Sequence, residues 1–146
     1  MSVSSDVVAR ELSDLVPVIM GAIRTEMRSR RTADLTVPQF RSMLFIERNP
    51  GCSLLAVAEH LGLTAPTVSK MVDKMVHNGV VKRKSSSTDR RKIVLTLTPK
   101  GQPILEVARN GTQAHITATL ATLPTDKLDV IHQAMNLLSP LFSRQV

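Results

Sequence analysis

Apolar residues step by three or four through the first thirty positions. Val8, Leu12, Leu15, Ile19, Ile23 and Met27 fall on one stripe, the spacing of an amphipathic helix. With Ser5 as its cap, the pattern predicts a helix from Asp6 to about Arg30, roughly 37 Å at about 1.5 Å per residue. Pro17 lies inside it and has no amide hydrogen, which predicts a kink. So long a helix has too little partner in one small domain, and part of its stripe is expected to meet a second copy of the chain.

Thr36 opens a second predicted helix, with Pro38 in its first turn, Phe40, Leu44 and Phe45 facing inward, and Asn49-Pro50-Gly51 as its end. Ser53 caps a third, from Leu54 to Leu61, stopped by Gly62. Thr64 caps a fourth, from Ala65 to Asn78, and Gly79 supplies a left-handed stop. Two short helices joined by His60-Leu61-Gly62-Leu63-Thr64 make a helix-turn-helix. The period then changes. Val80 to Lys84 and Lys92 to Thr98 flank a polar tip, Ser85 to Arg90. The second run alternates, with Ile93, Leu95 and Leu97 on one face, which predicts a two-stranded hairpin with one buried side. Thr98-Pro99 opens a fifth helix reaching about Thr122, with Gly101 and Gly111 inside it. Leu123-Pro124 breaks it, and Thr125 is expected to cap a sixth, whose stripe is Leu128, Ile131, Met135, Leu138 and Phe142.

Charge changes the picture. Between Thr64 and Lys92 stand eight basic residues (Lys70, Lys74, Lys82, Arg83, Lys84, Arg90, Arg91, Lys92) and two acids, Asp73 and Asp89, so this stretch holds six of the chain's seven net positive charges. Positive charge gathered on one helix and the hairpin after it is what a duplex phosphate backbone attracts. Solvation alone is the bland alternative, and it does not explain why both elements share the bias. Three Phe with no Trp or Tyr argue against single-stranded nucleic acid, whose bases need rings to stack on.

The order of elements and several motifs resemble the MarR family of winged-helix transcription regulators. Leu35-Thr36 with Pro38-Gln39-Phe40 is similar to the family's entry into its second helix. Val57-Ala58 through Leu61-Gly62-Leu63 resembles the first helix of the DNA reader, and Thr67 to Met75 with Asn78 to Arg83 the recognition helix and its exit. Asp89-Arg90-Arg91, Leu95-Thr96-Leu97-Thr98 and Gly101 resemble the wing and the start of the fifth helix. The likeness implies a mainly α fold with a small β-wing, one domain over 1–146. Within it, 33–98 would be the winged helix-turn-helix lobe, and 5–32 and 99–146 the dimerisation helices.

A helix fits the major groove, where residues of its N-terminal half reach base edges. Here those are Thr64, Ala65, Pro66, Thr67, Ser69 and Lys70, with Lys74 one turn on. The family usually has a small polar residue where Pro66 stands and often Arg where Lys70 stands, so base discrimination is expected to rest on fewer contacts. The tip is small enough for a minor groove. The resemblance implies that Arg91 inserts there, braced by an ion pair from Asp89, with Arg90 the rival for insertion. Lys82, Arg83, Lys84 and Lys92 are expected along the phosphate backbone.

The family also implies a homodimer built from the first, fifth and sixth helices, on a near-palindromic operator whose half-sites lie about 34 Å apart. Val8, Leu12, Leu15, Leu128, Ile131, Leu138, Leu141 and Phe142 are this chain's candidates, against the alternative that they fill the monomer's own core. Members commonly release DNA on binding a small anionic aromatic or phenolic compound. Met20, Ile23, Arg24, Met27, Met43, Phe45 and His115 are the candidate lining; a methionine at helical spacing is otherwise plain core.

No cofactor or metal site is expected. The histidines at 60, 77, 115 and 132 are scattered and form no close helical pair. The lone Cys52 excludes an internal disulfide and reads as an inert thiol. No nucleophile elbow, phosphate loop or dinucleotide fingerprint points to an enzyme. With no apolar run near the roughly 20 residues needed to span a bilayer and no signal-peptide core, a cytoplasmic protein is expected. The remaining alternative is a winged helix that binds DNA without regard to sequence, or binds protein.

Overall fold

The computed structural model describes residues 2–30 and 35–143. In chain order these form α1 (Ser5–Arg30), α2 (Val37–Arg48), β1 (Cys52–Ser53), α3 (Leu54–Leu61), α4 (Ala65–His77), β2 (Val81–Ser85), β3 (Ile93–Leu97), α5 (Gly101–Leu120) and α6 (Thr125–Phe142). The fold is mainly helical with one small antiparallel sheet, as the periodicity predicts. The expected lobe boundary at 32–33 lies outside the described residues.

The capping chemistry explains most of the boundaries. The α1 cap is Ser4 rather than Ser5: the Val7 amide donates to Ser4 Oγ at 3.4 Å and the Val8 amide to its carbonyl at 3.2 Å. α1 then runs helically through Pro17. α2 opens on a reciprocal box, in which the Gln39 amide donates to Thr36 Oγ1 at 3.3 Å and the Thr36 amide to Gln39 Oε1 at 3.0 Å. Ser53 caps α3 through the Ala56 amide at 3.1 Å, and Gly62 ends it at φ 69°, a left-handed turn that favours glycine. The α6 cap is Pro124, with Thr125 the first helical residue; Pro lacks an amide hydrogen that this position would leave unpaired in any case.

The chain divides into two units after Thr112, inside α5. In the first, Met43, Ile46, Val57, Val68, Val72, Met75, Leu95 and Leu105 close a core between α2, α3, α4, the sheet and the start of α5. Phe40 and Phe45 face inward as expected, whereas Leu44 is only half-buried. In the second unit α6 has no buried residue. Of its predicted stripe, Leu128, Ile131 and Leu138 are half-buried, and Met135 and Phe142 are exposed.

The sheet has three strands in the order β1-β3-β2, not two. β1 pairs Cys52 with Leu95 and Ser53 with Val94; two residues are too few to show an alternation. The predicted apolar face of β3 is also shorter than expected. Leu95 is fully buried and Leu97 half-buried, but Ile93 is 51% exposed, because it stands at the wing end of the strand, opposite Ser85.

Candidate nucleic-acid interface

Burial of Val68, Val72 and Met75 fixes the rotation of α4 about its axis. It leaves Pro66, Thr67, Lys70, Asp73, Lys74 and His77 exposed, with Ala65 and Ser69 half-buried beside them. Most of the expected reader residues therefore share the solvent face. Thr64 stands at the N-cap but makes no side-chain cap bond; its hydroxyl pairs instead with that of Thr67 at 2.8 Å. The first two turns thus present a pair of coupled hydroxyls, one proline ring and the Lys70 ammonium.

The wing root is tied to the end of this helix. Gly79 turns the chain at φ 76°, its carbonyl accepts from Thr98 Oγ1 at 2.5 Å, and Lys100 Nζ donates to the Asn78 carbonyl at 3.0 Å. Gly101 packs on the Val80 carbonyl so closely that a Cβ would overlap it. The hairpin's starting direction is therefore set at the end of α4.

At the tip, the Ser86 amide donates to the Lys92 carbonyl at 2.7 Å and the Lys92 amide to the Asp89 carbonyl at 3.0 Å. Asp89 does brace Arg91, though not by the expected ion pair. Its Oδ1 accepts from the Arg91 amide at 3.0 Å, the local turn that a carboxylate forms with an amide two residues on. Arg90, Arg91 and Lys92 are exposed, and among the described residues no carboxylate pairs with them.

Arg83 departs from expectation. Its Nη2 stands 2.5 Å from Asp73 Oδ1, so it faces α4 rather than solvent like Lys82 and Lys84. Sequence spacing gave no sign of this pair, since the two are ten positions apart across a turn. The other basic side chains of the stretch (Lys70, Lys74, Lys82, Lys84, Arg90, Arg91 and Lys92) have no carboxylate partner among the described residues.

Of the expected ligand residues, only Arg24 and Met27 line one cleft. Met43 is fully buried in the core, and Phe45 is buried with its ring stacked on His60 at 4.6 Å. Both are core residues, as methionine and phenylalanine on an inward helix face usually are. Met20 and Ile23 are half-buried on α1, and His115 belongs to the second unit. Arg24 and Met27 do line a cleft of about 260 Å³, together with Arg28, Leu35, Thr36, Val37 and Pro38. The missed signal was Arg28, four residues after Arg24 and so on the same helix face. Burial pushes the Cys52 thiol above its ordinary value, which keeps it protonated. No cluster of three metal-ligating residues, and no helix long and apolar enough to cross a membrane, occurs among the described residues.

Comparison with known proteins bears on the same stretch. The family model described as MarR family matches residues 33–92. The transcriptional regulator HosA of Escherichia coli O157:H7 is 35% identical over 75 residues, covering 51% of this chain and 56% of HosA, so the match spans little more than half of that relative. Among solved structures, RV1404 from Mycobacterium tuberculosis superposes with a TM-score of 0.80 at 18% identity, over 100% of this chain and 99% of that one. The transcriptional repressor CouR, solved on a 23-mer DNA duplex, gives 0.72 at 23% identity over 95% and 99%. These likenesses extend the shared fold beyond the matched stretch to both flanking helical segments. Over residues 33–92 this chain is similar to the MarR family, and the solved structures share its winged-helix fold.

Proposed function

We propose that this chain is a DNA-binding transcriptional regulator, acting in the cytoplasm as a repressor that holds a near-palindromic operator as a homodimer. This reading rests on seven cations that have no carboxylate partner among the described residues, all on one exposed helix face and one hairpin. A helix enters the major groove while a wing follows the adjacent minor groove, and both need cations aimed outward. HosA is named a transcriptional regulator, and CouR a repressor bound to duplex DNA; both support the assignment.

A second copy supplies the second half-site. Supporting this, Leu137, Leu141 and Phe142 on α6 and Val8, Leu15 and Ile19 on α1 are large apolar side chains exposed in the single chain, more than a soluble monomer of this size usually leaves open. Release by a small anionic aromatic compound is supported by the cleft at Arg24 and Arg28. Two guanidinium groups can hold a carboxylate, and Met27, Leu35 and Val37 offer apolar lining for a ring.

Competition gel shifts test the assignment. The protein should prefer the region upstream of its own gene over random duplex by at least about a thousandfold at physiological salt. Equal affinity for both would instead favour a sequence-blind DNA binder.

A further inference from the structure

We infer that Arg83 is a positioning residue of the reader, held by Asp73, and not one of its phosphate contacts; this rests on the duplex-binding reading above. In the sequence Arg83 is the middle of three consecutive basic residues and looks equivalent to Lys82 and Lys84. The strand separates them. Side chains alternate along β2, so exposed Lys82 and Lys84 take one face, while Arg83 shares the other with buried Val81, opposite Leu95. From that face its guanidinium reaches Asp73 at 2.5 Å, and its side chain is only 33% exposed.

Asp73 is the sole acid on α4 and stands on the exposed face between Lys70 and Lys74. An unpaired carboxylate there would repel the phosphates those lysines attract. The Arg83 guanidinium cancels that repulsion and joins the outgoing strand to the helix. Nearer the root, the Thr98 and Lys100 bonds already hold the hairpin. Beyond Arg83, the hydrogen bonds of 84–92 among the described residues are local to the tip. Arg83 is thus the outermost tie to α4 among the described residues, beside the pairing of β3 with β1 at Val94. The angle at which Arg90 and Arg91 leave the reader depends on it, and that angle decides whether helix and wing enter neighbouring grooves together.

The two roles predict opposite signs. Affinity for an operator duplex is titrated over a range of salt for the wild type, Asp73→Ala, Arg83→Ala and the double variant, with thermal melts of each. Asp73→Ala should weaken binding by about fivefold, the upper range for an exposed pair, although it removes a negative charge from a DNA-facing surface. Arg83→Ala should do the same with an unchanged slope of log K against log salt, and the double variant should be no weaker than either single one. Arg83→Lys keeps the pair and should bind close to wild type. Hydroxyl-radical footprints should fade in the minor groove while major-groove protection persists, a pattern that general loss of fold would not give. Unchanged or tighter binding by Asp73→Ala, or a slope lowered by about one ion in Arg83→Ala, overturns the inference. Binding by the wild type reports on the duplex-binding reading separately, and its absence would overturn both.

Discussion

The main-chain amide of Arg91 donates to the carboxylate of Asp89 at 3.0 Å. The bond stiffens the wing tip through its backbone, and the guanidinium of Arg91 has no carboxylate partner among the described residues. Arg91→Ala is therefore expected to weaken operator binding by about 1–3 kcal/mol and lower the salt slope by about one, with fold and dimer intact by circular dichroism and light scattering. Asp89→Ala should cost less, because only the backbone brace is lost. If Arg90→Ala carries the larger loss, Arg90 is the inserting residue.

Lys70 stands on the exposed face of α4, and in the proposed complex its ammonium would meet guanine O6 or N7. Lys70→Ala should relax base preference at one position per half-site, at about 1–3 kcal/mol. Binding to a panel of single-base operator variants distinguishes this from a uniform loss, which would mark Lys70 as a phosphate contact.

At Gly101 the restriction is steric, since any Cβ meets the Val80 carbonyl at the junction of wing and α5. Gly101→Ala should destabilise the protein by about 1–3 kcal/mol, as overpacking against a fixed neighbour does, and thermal melting measures it. An unchanged melting temperature would mean that the junction is free to shift.

Glu47 at the end of α2 accepts from Gln102 Nε2 at 2.5 Å and pairs with Arg109, which also holds Glu106 at 2.8 Å. The Gln102 bond and then Arg109 hold its carboxyl below the ordinary 4.5. A carboxylate depressed in the folded state adds stability that is complete above its unfolded value and disappears as pH falls through the folded one. Urea melts in acid should therefore show a small loss below pH 4.5 that Glu47→Gln removes. Exposure of the group keeps this effect small.

Truncation after Ser139 removes Leu141 and Phe142, both exposed on α6. Light scattering should then show a shift from dimer toward monomer. A surviving tight dimer would place the interface elsewhere.

Local chemistry made the helices legible. Thr36, Ser53, Gly62 and Gly79 mark boundaries where a side-chain oxygen or a left-handed backbone is required, and the α2, α3 and α4 limits follow within a residue. The cap of α1 slipped because Ser4 and Ser5 offer the same hydroxyl one position apart. Long-range geometry was not legible. β1 is two residues long and exists only by pairing with β3, Ile93 is exposed because the strand ends there, and Met43 and Phe45 entered the core from positions that also suited a pocket. Among the site residues, composition located the charged surface, but the fold alone distinguished Arg83 from its lysine neighbours.

In the proposed complex the surface formed by 64–92 grips duplex DNA through its phosphates. Fluorescence anisotropy of the purified protein with its upstream duplex, repeated between about 50 and 200 mM salt, tests it most directly. Affinity should fall by orders of magnitude across that range, with a log–log slope of several ions. Failure to bind any duplex at the lowest salt would contradict the account.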